Sequence, residues 1–147
     1  MKEELLRELK EAMKNKDDLR KNTITLLRSA ILQVEKDTQK ELNEEEMISI
    51  VSKEVKKRKD SIADYEKAGR EDIIENLKKE IEILSKYLPE QLSKEEIVQL
   101  VQNAIVEVNA TSPKDMGKVM QNLRPKTNGK ADGKLVSEIV REKLSNI

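Results

Sequence analysis

Apolar residues recur three and four positions apart along this chain, and nowhere do they alternate every second residue between turn signals. Leu5, Leu9 and Met13 begin the pattern, and Ile24, Leu27, Ile31 and Val34 continue it. Ile48, Val51, Val55, Ile62 and Tyr65 follow, then Ile73, Leu77, Ile81, Leu84 and Leu88, then Ile97, Val101, Ala104 and Val108. Each set makes one stripe on a helix and neither face of a strand, so the expected fold is all-α with no sheet. Charged residues make up 39% of the 147. Leu, Ile and Val at helical spacing still mark these as packed helices, not a disordered polyampholyte.

Helix one is expected from about Glu3 to Asn15, and Asp17 and Asp18 put negative charge at the start of a second helix, where the dipole favours it. The polar run Asp37–Glu41 breaks that second stripe. Asn43 with Glu46 reads as a capping box, and Gly69 closes the third helix from the C′ position. Arg58 falls on the apolar seam of helix three, where it must snorkel or pair with a carboxylate. Pro89 stops helix four, and Ser93 with Glu96 forms a fresh capping box. Two units follow: residues 1–88, helical hairpins or an elongated bundle, and residues 89–147, a compact three-helix unit. Limited proteolysis should then release a fragment beginning near residue 90. In the second unit, Ser112-Pro113 reads as an N-cap with proline at N1, and the helix it starts should end before Pro125. Asp132 should cap the last helix, which buries Leu135, Val136, Ile139, Val140 and Leu144.

Histidine and cysteine are absent, so no Cys–His pair, Ser–His–Asp triad or thiolate metal site can be built. The carboxylates mostly stand three or four residues from a lysine or arginine, as Glu82 does from Lys86, which describes a solvated helix face. No catalytic residue, cofactor or metal is therefore expected. No apolar run is long enough for a membrane, and Met1-Lys-Glu-Glu-Leu5 lacks a signal-peptide core. A cytoplasmic protein is the expectation.

One segment departs from the mixed-charge pattern. Residues 114–134 hold six basic side chains against two acidic ones, a formal +4 in a chain of zero net charge, together with Gly117, Gly129 and Gly133. A glycine-punctuated loop here opens onto a helix start. Backbone N–H groups of Gly129 and Gly133 there, ringed by Lys118, Arg124, Lys126, Lys130 and Lys134, would suit a phosphate. The alternative is that the glycines serve only a turn and a cap while the lysines are solubilising surface. Gly129-Lys-Ala-Asp-Gly133-Lys134-Leu135 is not a P-loop: three residues separate its glycines and a leucine follows the lysine. Nor does it fit an EF-hand, which would put Lys130 and Ile139 at ligand positions. With two tyrosines, no Phe and no Trp, the chain lacks a stacking platform for single-stranded RNA. Any RNA contact would read backbone shape and charge.

The same residues carry a family resemblance. Asp115-Met-Gly-Lys-Val-Met120, Pro125 and Gly129-Lys-Ala-Asp-Gly-Lys-Leu-Val136 resemble the C-terminal module of the GatB/YqeY family. That module ends the B subunit of glutamine-dependent amidotransferases acting on misacylated tRNA. Lys56-Lys-Arg-Lys-Asp-Ser61, Tyr65-Glu-Lys-Ala-Gly-Arg70 and Tyr87-Leu-Pro-Glu-Gln-Leu92 resemble its small free-standing, YqeY-like branch. The resemblance implies an all-helical accessory protein linked to tRNA aminoacylation or transamidation, contacting tRNA, a tRNA synthetase or an amidotransferase subunit. A subunit of a carbon–nitrogen ligase with glutamine as amido-N-donor is one alternative, and a helical protein–protein interaction module is another.

Overall fold

Asn43 and Ser93 each do what their spacing to Glu46 and Glu96 predicts. In both, the side chain accepts the backbone N–H three residues on, and the glutamate reaches back to the cap's own N–H. The computed structural model describes all residues, 1–147, and contains no strand. Its helices are α1 (Lys2–Lys14), α2 (Asp18–Thr38), α3 (Glu44–Ala68), α4 (Glu71–Ser85), α5 (Lys94–Glu107), α6 (Met116–Thr127) and α7 (Gly133–Ser145), with a 3₁₀ turn at Pro113–Asp115. The chain divides into two compact units, Met1–Leu88 and Pro89–Ile147, each with its own core.

In the first unit α2 packs on α1, α3 and α4, and α4 runs along α3 after a turn at Gly69, whose φ of +70° only glycine adopts without strain. Leu5, Ile24, Leu27, Ile31, Val51, Val55 and Leu84 are buried together. Each is worth about 1.5–3 kcal/mol relative to exposure. The inward residue at the end of α1 is Ala12, not Met13, which is 55% exposed. In α4, Ile74 and Leu84 are the fully buried residues while Ile73, Leu77 and Ile81 are partly covered. α2 also runs one residue past Asp37, closing on Gln39 in the left-handed region at φ 54°.

Two of the polar clusters that knit this unit centre on Arg58 and on Glu8. Arg58 is 9% exposed; its Nη1 donates to the Glu54 carboxylate and carbonyl, both at 3.0 Å, and its Nη2 lies 3.7 Å from Glu80 on α4. Glu8 on α1 accepts from Arg20 on α2 at 2.7 Å and from the Tyr87 hydroxyl at 3.1 Å. The Arg20 hydrogen bond, aided by that of Tyr87, holds the Glu8 carboxyl below the ordinary carboxylate range. Burial first, and the Glu8 charge second, push the Tyr87 phenol well above its ordinary 10.0. The signs are opposite. Stability from Glu8 is present above the ordinary carboxylate value of 4.5 and drains as pH falls through the depressed one. Stability from protonated Tyr87 is complete below 10.0 and drains as pH rises towards the raised value. Tyr87→Phe should cost about 1 kcal/mol near neutrality, and the gap to the parent should narrow above about pH 10. Urea unfolding of both proteins across the alkaline range tests this, and a gap independent of pH would refute it.

In the second unit α5, α6 and α7 pack pairwise around Ile97, Val101, Ala104, Val119, Leu123, Val136, Ile139, Val140 and Leu144. Two local expectations are corrected. Pro113 begins a 3₁₀ turn, not the α-helix itself, and the Ser112 side chain makes no cap hydrogen bond. α6 also does not stop before Pro125 but continues through it to Thr127. Pro125 sits in the last turn, so its missing N–H strips only the carbonyl of Gln121, an exposed residue that water can serve. The Asn128 N–H still bonds to the Arg124 carbonyl, and the buried Thr127 hydroxyl donates to the Leu123 carbonyl at 3.1 Å, keeping that turn closed.

Candidate nucleic-acid interface

The loop between α6 and α7 is thus Asn128–Asp132, three residues shorter than the 125–132 span read from Pro125. Gly129 is buried with φ +73°, a conformation that a side chain would strain. The Gly129 carbonyl accepts from Gln91 Nε2 at 2.7 Å, and the Lys130 carbonyl accepts the Leu92 N–H at 2.8 Å. Lys130 and Ala131 both donate their N–H groups to the Thr127 carbonyl. The loop is therefore fixed at both ends and pinned to the segment just before α5. These bonds set where Lys130 and the first turn of α7 stand.

The α7 N-terminus differs from the anion niche imagined from sequence. Asp132 is the N-cap, and its carboxylate accepts the Lys134 N–H at 3.0 Å. A fixed negative charge thus stands where the helix dipole would draw a phosphate. Gly133 has an ordinary φ, and a Cβ there would meet nothing within 4 Å. The two glycines are opposites in consequence. Gly133→Ala should stabilise the unit by up to about 1 kcal/mol through helix propensity, while Gly129→Ala should destabilise it by about 1–2 kcal/mol. Thermal unfolding of the two variants separates them, and equal shifts would contradict the assignment.

The five candidate cations also sort into two kinds. Lys126 is half-buried, and its Nζ lies 3.3 Å from Glu107 on α5 and 3.1 Å from the Asn122 side-chain oxygen. Asn122 donates to the same Glu107 carboxylate at 3.0 Å, and this bond, then Lys126, holds the Glu107 carboxyl below its usual range. Lys126 is thereby an α5–α6 tie with its charge answered. Lys118 is exposed but stands 4.0 Å from Asp115, a carboxyl lowered chiefly by the Thr111 N–H. Arg124, Lys130 and Lys134 are exposed and make no ion pair. They come from the last turn of α6, the loop and the first turn of α7, so they flank one short connection. Beyond it the exposed surface of α7 alternates in sign through Glu138, Arg141 and Glu142. Composition over residues 114–134 could not reveal Glu107, because the answering carboxylate lies upstream on another helix.

Comparison with known proteins places the chain. Residues 2–144 match the family described as Yqey-like protein, and the chain belongs to that family. It is 41% identical over 112 residues to a protein of Lachancea thermotolerans named "Altered inheritance of mitochondria protein 41, mitochondrial", covering 74% of this chain and 60% of that one. The protein of the same name in Kluyveromyces lactis is 38% identical over 113 residues, with the same coverages. That of Pyrenophora tritici-repentis is 28% identical over 140 residues, covering 92% of this chain and 76% of the relative. The chain therefore spans about 60% of the length of the first two relatives. These names correct the cytoplasmic expectation, since every relative described carries a mitochondrial designation. Neither the lack of cysteine nor the lack of an apolar span distinguishes one aqueous compartment from another.

Proposed function

We propose that this YqeY-family chain is a non-catalytic helical accessory module whose C-terminal unit holds the phosphate backbone of folded tRNA. One observation carries the reading: Arg124, Lys130 and Lys134 remain unpaired around a loop that two backbone-directed hydrogen bonds, from Gln91 and Leu92, tie to the segment before α5. Unpaired cations on a fixed scaffold meet phosphates without first breaking internal ion pairs or ordering a loop. The scarcity of aromatics favours backbone over base contact. The choice of tRNA rests on the resemblance of Gly129–Val136 to the tail module of the amidotransferase B subunit. Without histidine or cysteine the module would present RNA to an enzyme, a tRNA synthetase or an amidotransferase subunit, rather than react itself.

Recovery from cell extract with and without ribonuclease tests the proposal. Small folded RNA should accompany the tagged chain and vanish after ribonuclease. A glutamine-hydrolysing subunit that stays bound after ribonuclease would instead favour membership in a carbon–nitrogen ligase with glutamine as amido-N-donor. Absence of RNA at low salt would remove the reading.

A further inference from the structure

Within the first unit, the outer side of the α1–α2 pair is unusually apolar. Leu6 is 39% exposed, Met13 55% and Leu32 54%, whereas the α3–α4 pair exposes only Tyr65 to a comparable degree. Leu6 and Met13 stand one heptad apart, so they share a ridge of α1. Between that ridge and α2 lies an open groove of about 200 Å³ lined by Leu5, Leu6, Ile31 and Leu32, with Lys2, Glu3 and Arg28 at its rim. Lys2 is already committed to Glu35 at 2.7 Å. Glu3 and Arg28 border the same groove, yet neither makes an ion pair.

We propose that this groove is a self-association surface, closed by a second copy of the chain in a two-fold dimer. The charge pattern points to a copy rather than to an unrelated helix. A two-fold contact brings each patch against itself reversed, so it needs a patch that carries its own complement. One unpaired carboxylate and one unpaired guanidinium across an apolar strip meet that need: Glu3 of each chain faces Arg28 of the other, and Leu6 and Leu32 of the two chains interdigitate between them. A partner of one sign would leave either Glu3 or Arg28 opposed or unanswered. The surface is small. At 1.5 Å per residue the 13-residue α1 spans about 20 Å, so the contact falls at the low end of interface size and a dissociation constant on the order of micromolar is expected.

Sedimentation velocity of the full chain over about 1–300 μM at moderate salt tests it, against that micromolar expectation. The parent should pass from monomer to dimer across this range, and Leu32→Lys should remain monomeric with an unchanged helical circular dichroism spectrum. Because a folding defect in Leu32→Lys would mimic dissociation, a charge exchange provides the decisive arm. Glu3→Arg and Arg28→Glu should each weaken association by at least about tenfold, since each single change puts like charges together. The double variant should recover dimerisation. A parent that stays monomeric throughout, or a dimer indifferent to Leu32→Lys and to both single exchanges, overturns the proposal. So does a double variant no tighter than the singles.

Discussion

Removing both carboxylates around Arg58, in Glu54→Ala/Glu80→Ala, should destabilise the first unit by about 3–5 kcal/mol, a large part of a domain's usual margin. Arg58 reaches the apolar seam between α3 and α4 with its side chain 11% exposed. Its guanidinium is answered by the Glu54 carboxylate and carbonyl at 3.0 Å and by Glu80 at 3.7 Å. Its Nε is already buried without a partner. Without the two carboxylates the charge would keep one backbone carbonyl and little water, so the penalty is that of an uncompensated buried cation. The converse change discriminates the mechanism. Arg58→Met supplies an apolar side chain of similar reach to the seam, while Glu54 and Glu80 can turn to solvent from their partly exposed positions. That variant should be neutral or more stable by about 1–4 kcal/mol. Urea denaturation of the three proteins decides. A loss below about 1 kcal/mol in the double variant would mean that Arg58 finds water, as an exposed ion pair does.

The helices and their order were legible because period, caps and breakers agree at almost every junction. Asn43, Ser93, Asp132 and Gly69 all behave as local rules require. What escaped was decided by burial, by position within a helix and by neighbours on other helices. Met13 has the spacing to face inward, but it is 55% exposed and its neighbour Ala12 is the residue completely covered. Pro125 stops a helix when it falls in the interior, whereas in the final turn of α6 only one exposed carbonyl loses its donor. The candidate interface was legible as a concentration of positive charge and not as a geometry. Lys126 and Lys118 count equally with Lys130 in a composition window, yet Lys118 has Asp115 three residues away in that same window, whereas only tertiary structure shows Lys126 bound to Glu107. Glycines likewise look alike in sequence, yet Gly129 is required by its φ and Gly133 is not.

That sorting sets the second large effect expected. Arg124→Ala/Lys130→Ala/Lys134→Ala should lower tRNA affinity on the order of a hundredfold at low salt, taking about 1 kcal/mol for each lost charge-assisted contact. The three residues are exposed and outside the core, so folding should survive. Lys126→Ala should instead change affinity little, because the Lys126 charge already faces Glu107. The measurement that separates phosphate binding from ordinary surface is tRNA affinity of parent and triple variant as a function of salt. The parent should show a log–log slope on the order of −2 to −3, and the triple variant, with all three contacts removed, a slope near zero. If the triple variant binds as tightly and with the same slope as the parent, or if the parent binds no tRNA at low salt, these cations are solubilising surface and the tRNA reading fails.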